Sequence, residues 1–122
     1  MPRHKESSIQ QRCVAYFRRK YPQYSKLLFA VPNGGARRIR EAQILKAEGV
    51  TAGVSDLTLL VPRDGWNSLC IEMKWESSSS RLSPAQKEWQ EIATAVGNKC
   101  ITCRSFEQFV TEVDGYMSAL EE

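Results

Sequence analysis

Histidine is nearly missing from this sequence: the one present, His4, sits in a polar terminus. A closed tetrahedral zinc site would therefore have to be built from thiolates, and there are four cysteines in all. Cys100 and Cys103 form a single C-x-x-C with no second pair, inside a stretch, Lys99 to Arg104, that reads as a short strand. A strand turns those two thiols to opposite faces. Buried free thiols are the expected state, and a cysteine-based redox or zinc protein is the weakest reading on offer. No apolar run approaches the ~18 residues of a membrane span, and the N-terminus has no apolar signal region. A cytoplasmic protein of a bacterial or phage-infected cell, with no membrane partner, is the expectation. Internal repeats are lacking too, and no glycine pattern matches a nucleotide-binding fingerprint, which argues against ATP.

What is present is sorted unevenly. Residues 1–50 hold eleven Lys/Arg against three Glu, a net +8, whereas residues 51–122 hold six against eleven acids, a net −5. A basic half is the electrostatic footprint of a polyanion partner, nucleic acid first, although a solvated surface gives the same count. At 122 residues the chain is expected to form one domain, residues 1–122, with a core of its own.

The organising stretch runs from Gly49 to Lys74. Leu57 to Pro62 and Ser68 to Met73 have strand composition, and Arg63-Asp64-Gly65 between them is a turn signal. A three-residue loop centred on Asp64 pairs Pro62 with Trp66 and, by the same count, Asp56 with Glu72. Opposed residues share a face, and Lys74, two beyond Glu72, shares it as well. Leu69, Ile71 and Met73 then point into a core. A two-residue loop would shift the register by one and send Asp56 to the wrong face. Two carboxylates and a lysine at one point suit Mg²⁺ or Mn²⁺ and hydrolysis of a phosphodiester, with hard oxygen ligands on the ion and the lysine steadying the developing charge. The alternative is a surface salt bridge between Glu72 and Lys74.

Around the hairpin the elements follow from periodicity and punctuation. A helix from Glu6 or Ser7 to Lys20 carries Ile9, Cys13, Val14, Tyr16 and Phe17, and ends at Tyr21-Pro22. Glu6 is either a dipole-compensating acid at the helix start or a third carboxylate reaching the metal. Leu27 to Val31 is a strand. After it, Pro32-Asn33-Gly34-Gly35-Ala36-Arg37-Arg38 reads as a backbone cradle for nucleic-acid phosphate, with Asn33, Gly34, Arg37, Arg38 and Arg40 as contacts, or as an ordinary loop. A helix from Arg38 to Glu48, carrying Ile39, Ala42, Leu45 and Lys46, is stopped by Gly49. Glu76 to Arg81 is a polar loop, and Ser83-Pro84-Ala85-Gln86 opens a helix with a capping box, carrying Trp89, Ile92, Ala93 and Val96 up to Gly97. Lys99 to Cys103 is the last strand, and Ser105-Phe106-Glu107-Gln108 repeats the capping box before Phe109, Val110, Val113 and Met117. The order is α-β-α-β-β-α-β-α: an α/β fold with a mixed sheet and flanking helices.

This order, with Ser55-Asp56 followed by Glu72-Met73-Lys74, resembles the PD-(D/E)xK nucleases and their restriction-endonuclease-like fold. The approach Gly49-Val50…Gly53-Val54-Ser55-Asp56, the Pro32-Asn33-Gly34 turn and Leu82-Ser83-Pro84-Ala85-Gln86 narrow the likeness to the virus-type replication-repair nuclease (VRR-NUC) family, over about Glu6 to Phe109. Ser55 departs from the pattern, which usually has Pro there. The resemblance implies that Asp56, Glu72 and the Met73 carbonyl bind Mg²⁺ or Mn²⁺, that Lys74 is the catalytic lysine, that Gln86 supports it and that Glu6 is the first-helix carboxylate near the metal. It also implies a homodimer acting on DNA as a Holliday-junction-type resolvase. The alternatives are a nuclease of the same fold acting on flaps or plain duplex, and a non-catalytic nucleic-acid-binding module.

Overall fold

The computed structural model describes residues 2–32, 39–74 and 81–120, with side chains from residue 7 onward. Four strands form one mixed sheet in the order β1 (Leu28–Ala30), β2 (Leu57–Leu59), β3 (Ser68–Met73), β4 (Asn98–Cys103). The first two pairings are antiparallel and the third is parallel. A tight turn cannot join a parallel pair, and the crossover is the helix α3 (Pro84–Ala95). Helices α1 (Pro2–Lys20), α2 (Ile39–Ala47) and α4 (Phe106–Met117) complete the expected order, with a 3₁₀ segment, Pro22–Leu27, between α1 and β1.

Strand alternation sorts the sheet into two unlike faces. Leu57, Leu59, Leu69, Ile71, Met73 and Cys103 cluster with Cys13 and Phe17 of α1 and with Phe109, Val113, Tyr116 and Met117 of α4. Each fully buried Leu, Ile or Phe contributes roughly 1.5–3 kcal/mol, so this face carries most of the apolar stabilisation. The α1–α4 contact is also tied by Asp114, which accepts from Tyr16, Tyr21 and Lys20 at 2.5, 2.6 and 2.9 Å. Burial pushes the Asp114 carboxyl up, but those three donors outweigh it and hold it below its ordinary value.

The opposite face, with Thr58, Cys70, Glu72, Cys100 and Thr102, meets α3. There the expected stripe fails: Ile92 and Val96 are 60% and 66% exposed, and of the helix only Ala93 is buried. A sheet face built from threonines, thiols and a glutamate gives an apolar stripe little to bury against. Helix α2 likewise has no buried residue. Cys100 and Cys103 do lie on opposite faces, with Cys103 buried and Cys100 half-buried.

Two expectations about local structure are corrected. Helix α1 starts at Pro2, a residue suited to a first turn because it lacks an N–H. Glu6 therefore falls beyond the first turn, which removes the dipole explanation. The hairpin turn has two residues, not three: Asp64 and Gly65 take φ of +52° and +80°, the signature of a type I′ turn, and Arg63 pairs with Trp66 where Pro62 was expected. Even so, β2 and β3 keep the odd register, Leu57 with Ile71 and Leu59 with Leu69. Between Leu59–Leu69 and Arg63–Trp66 one strand has three residues and the other two, a bulge that absorbs the offset. Among the described residues no helix is long and apolar enough to cross a membrane.

Candidate active site

The site begins with the chain's approach to β2. Helix α2 ends in a Schellman motif, with Gly49 at φ +110°, its N–H on Lys46 O at 3.1 Å and the Val50 N–H on Leu45 O at 2.9 Å. Gly53 follows at φ +89°, so close to α3 that an added Cβ would stand 2.3 Å from the Ala85 carbonyl oxygen. That approach brings the segment ahead of Asp56 against the first turn of α3. Ser55 is fully buried, and its Oγ has no hydrogen-bond partner among the described residues.

Asp56 sits one residue before β2. Its backbone carbonyl accepts from Val31 N–H at 2.9 Å, which extends the β1–β2 ladder. Its side chain turns towards β3, where Oδ2 accepts from Met73 N–H at 2.8 Å. The carboxylate thus takes a donor that a longer β2 would have satisfied with its backbone. The register carried one step past Leu57–Ile71 sets Asp56 against Glu72.

Glu72 is 3% exposed, and Gln86 Nε2 donates to its Oε2 at 3.0 Å. Gln86 also closes the α3 capping box: its Oε1 accepts from Ser83 N–H at 2.8 Å, and its own N–H donates to Ser83 Oγ at 3.1 Å. One side chain therefore fixes a helix start and orients a carboxylate. Lys74 is half-buried, and its N–H donates to Cys103 O at 2.9 Å, beyond the last residue of β3. Arg40 lies exposed on α2. Asn33, Gly34, Arg37 and Arg38, the side chain of Glu6, and residues 76–80 of the polar loop lie outside the described residues.

Among the described residues no three of His, Cys, Asp and Glu gather into a metal-binding group. The hard oxygens nearest to such a group are the Asp56 and Glu72 carboxylates, at opposed positions of the register, and the carbonyl of Met73, the residue after Glu72. A carboxylate as buried as Glu72 is costly to keep charged without hydrogen bonds and a nearby cation. An oxygen set of this kind, with water and phosphate completing it, fits Mg²⁺ or Mn²⁺. Two of the thiols are excluded: Cys13 and Cys103 sit on the opposite face of the sheet, where burial pushes each up to about 12.

Two features were missed from sequence. The grip of Asp56 on Met73 N–H leaves no trace in composition. The Gly53–Ala85 approach had a signal, a second glycine four residues after the helix-stopping Gly49, but a lone glycine does not name its neighbour.

Comparison with known proteins bears on the whole arrangement. The family model described as "VRR-NUC domain" matches residues 2–107. A solved structure described as a "VRR_NUC domain protein" superposes with a TM-score of 0.82 at 23% sequence identity, covering 95% of this chain and 90% of the other. No curated protein sequence matches.

Proposed function

Since the chain belongs to the VRR-NUC domain family, a family of nucleases, and shares the fold of a solved VRR_NUC domain protein, we propose that it is a Mg²⁺- or Mn²⁺-dependent endonuclease acting on branched DNA. The observation that carries this reading is the buried Glu72 carboxylate, opposite Asp56 in register and held by Gln86 Nε2 at 3.0 Å.

Asp56, Glu72 and the Met73 carbonyl would hold the ion, with Glu6 as a further ligand. When bound, the ion supplies Lewis-acid stabilisation of the charge that builds on the scissile phosphate. The protein's own groups supply the rest. Gln86 fixes the Glu72 rotamer, and the Met73 amide fixes Asp56. Lys74, two residues beyond Glu72 on the same face, brings an ammonium to the phosphate oxygens and orients the attacking water. That water bonds to phosphorus as the ester P–O bond breaks, and the leaving oxygen takes up a proton. Asn33, Gly34, Arg37, Arg38 and Arg40 would grip the DNA backbone. A homodimer would offer two such sites to two strands, which suits a four-way junction.

The test is a side-by-side cleavage assay with a four-way junction, a flap and plain duplex in Mg²⁺. The junction should be cut first, chelation should stop cutting, and Lys74→Ala should lower the rate by about 100-fold or more while DNA binding persists. Preference for the flap would keep the chemistry and overturn the junction assignment. A folded protein that cuts none of the three with either ion would overturn the nuclease reading.

A further inference from the structure

The polar face that holds Glu72 continues onto β4. The parallel register sets Glu72 against Thr102 and Met73 against Cys103, and the ladder runs one step further through Lys74 N–H on Cys103 O at 2.9 Å. The next pair in that register is Lys74 with Arg104. Alternation past the fully buried Cys103 puts Arg104 on the Thr102 side, the face shared by Glu72 and Lys74. Both basic residues leave the sheet at the C-terminal ends of two parallel strands, the end at which open α/β sheets take their ligands.

Arg104 is half-buried, and Gln108 ties together the corner around it. Its N–H donates to Gln108 Oε1 at 2.8 Å, Gln108 Nε2 donates to Thr102 O at 3.1 Å, and Gln108 N–H donates to Ser105 Oγ at 3.0 Å. The strand-to-helix corner from which the guanidinium springs is therefore fixed.

The geometry points to Arg104 as a phosphate-contact residue of the same site, its guanidinium beside Lys74 and forked onto a backbone phosphate of the bound DNA strand. This rests on the nuclease reading and deepens it. The two cations divide the work by their chemistry. An ammonium is a compact point charge suited to the oxygens of the bond that breaks, whereas a guanidinium is planar, always charged and able to donate two parallel bonds to one phosphate. Lys74 serves the reacting phosphate, and Arg104 holds the strand in register with it.

The experiment measures equilibrium binding of a labelled four-way junction over a range of salt, with Ca²⁺ in place of Mg²⁺, together with steady-state cleavage in Mg²⁺. Wild type is compared with Arg104→Ala, Arg104→Gln and Arg104→Lys. Arg104→Ala should bind about tenfold more weakly, with the slope of log affinity against log salt shallower by about one. In cleavage the loss should fall more on KM than on kcat. Arg104→Lys should recover the slope but not the full affinity. If wild type cuts DNA and the alanine variant keeps its affinity and slope, or loses only kcat, Arg104 has no such role. Should the alanine variant fold poorly, an unchanged slope in a folded Arg104→Gln variant is equally decisive. A wild-type protein that neither binds nor cuts the junction, a flap or plain duplex with either ion removes the nuclease reading itself.

Discussion

Helices α3 and α4 open with the same grammar, Ser-Pro-Ala-Gln and Ser-Phe-Glu-Gln, and in both the serine Oγ accepts from the glutamine N–H, at 3.1 and 3.0 Å. The glutamine side chains then diverge. Gln86 turns Oε1 back to the N-cap amide and has Nε2 left for Glu72. Gln108 sends Oε1 one residue further back, to Arg104 N–H, so the second capping box is only half formed, and its Nε2 goes to the Thr102 carbonyl. The cause lies in what precedes each helix. Only residues 104 and 105 separate β4 from α4, so the strand's own backbone is the nearest partner, whereas α3 starts over β3, where a side-chain carboxylate is. A cap signal fixes where a helix begins; the topology decides what its spare polar atoms hold.

The largest expected effect comes from breaking the seat of the first of these helix starts. Gly53→Ala would drive a Cβ into the Ala85 carbonyl at a backbone φ that L-residues avoid. Thermal unfolding should show a loss of at least about 2 kcal/mol, with DNA cleavage falling alongside. A Tm within one degree of wild type would mean that the loop is not seated on α3.

Next in size is a pair of glutamine changes. Gln86→Glu keeps a residue that can close a capping box but sets a second carboxylate against Glu72. Cleavage should drop by about tenfold or more, a larger effect than the accompanying loss of Tm from crowding two carboxylates. Gln108→Ala should show the opposite balance, losing about 1–2 kcal/mol of stability and affecting cleavage less than Gln86→Glu does. Equal profiles for the two would erase the distinction drawn between them.

Smaller still, Ser83→Ala and Ser105→Ala should each cost about 1 kcal/mol in denaturant titrations. Matching losses would confirm that the serine halves are equivalent, and a clear inequality would show that they are not. Ser55→Ala, which touches neither cap, removes a buried hydroxyl with no described partner and should leave stability within about 0.5 kcal/mol of wild type or raise it. A loss above about 1 kcal/mol would mean that the hydroxyl makes a bond the fold depends on.

Much of this architecture was legible in the sequence, because period and punctuation are local. The limits of β3, the proline and serine at the start of α3, the glycine stops after α2 and α3, and the element order all follow from neighbours within a few residues. The β2–β3 register was legible too, but through a turn that does not exist as expected. Asp64-Gly65 forms the tighter I′ turn, and the bulge behind it restores the count. What escaped was tertiary. Ile92 and Val96 have helical spacing, yet whether that stripe is covered depends on the polar sheet face beneath it. The route of Gln108 to Arg104 rather than Ser105 depends on how soon α4 follows β4. The engagement of Asp56 with Met73 depends on where β2 begins.

The bulge between β2 and the turn separates the phase of the strand pairing from the geometry of the hairpin tip. Strand pairing at Leu57–Ile71 does not inherit its phase from the number of residues at the corner, since the irregular stretch from 60 to 62 has already taken up a mismatch of one. The corner is held by its own anchors instead, Arg63 Nε on Met117 O at 3.2 Å and Asp64 N–H on Leu120 O at 2.5 Å, so the tip answers to the end of α4 while the acids answer to the strands.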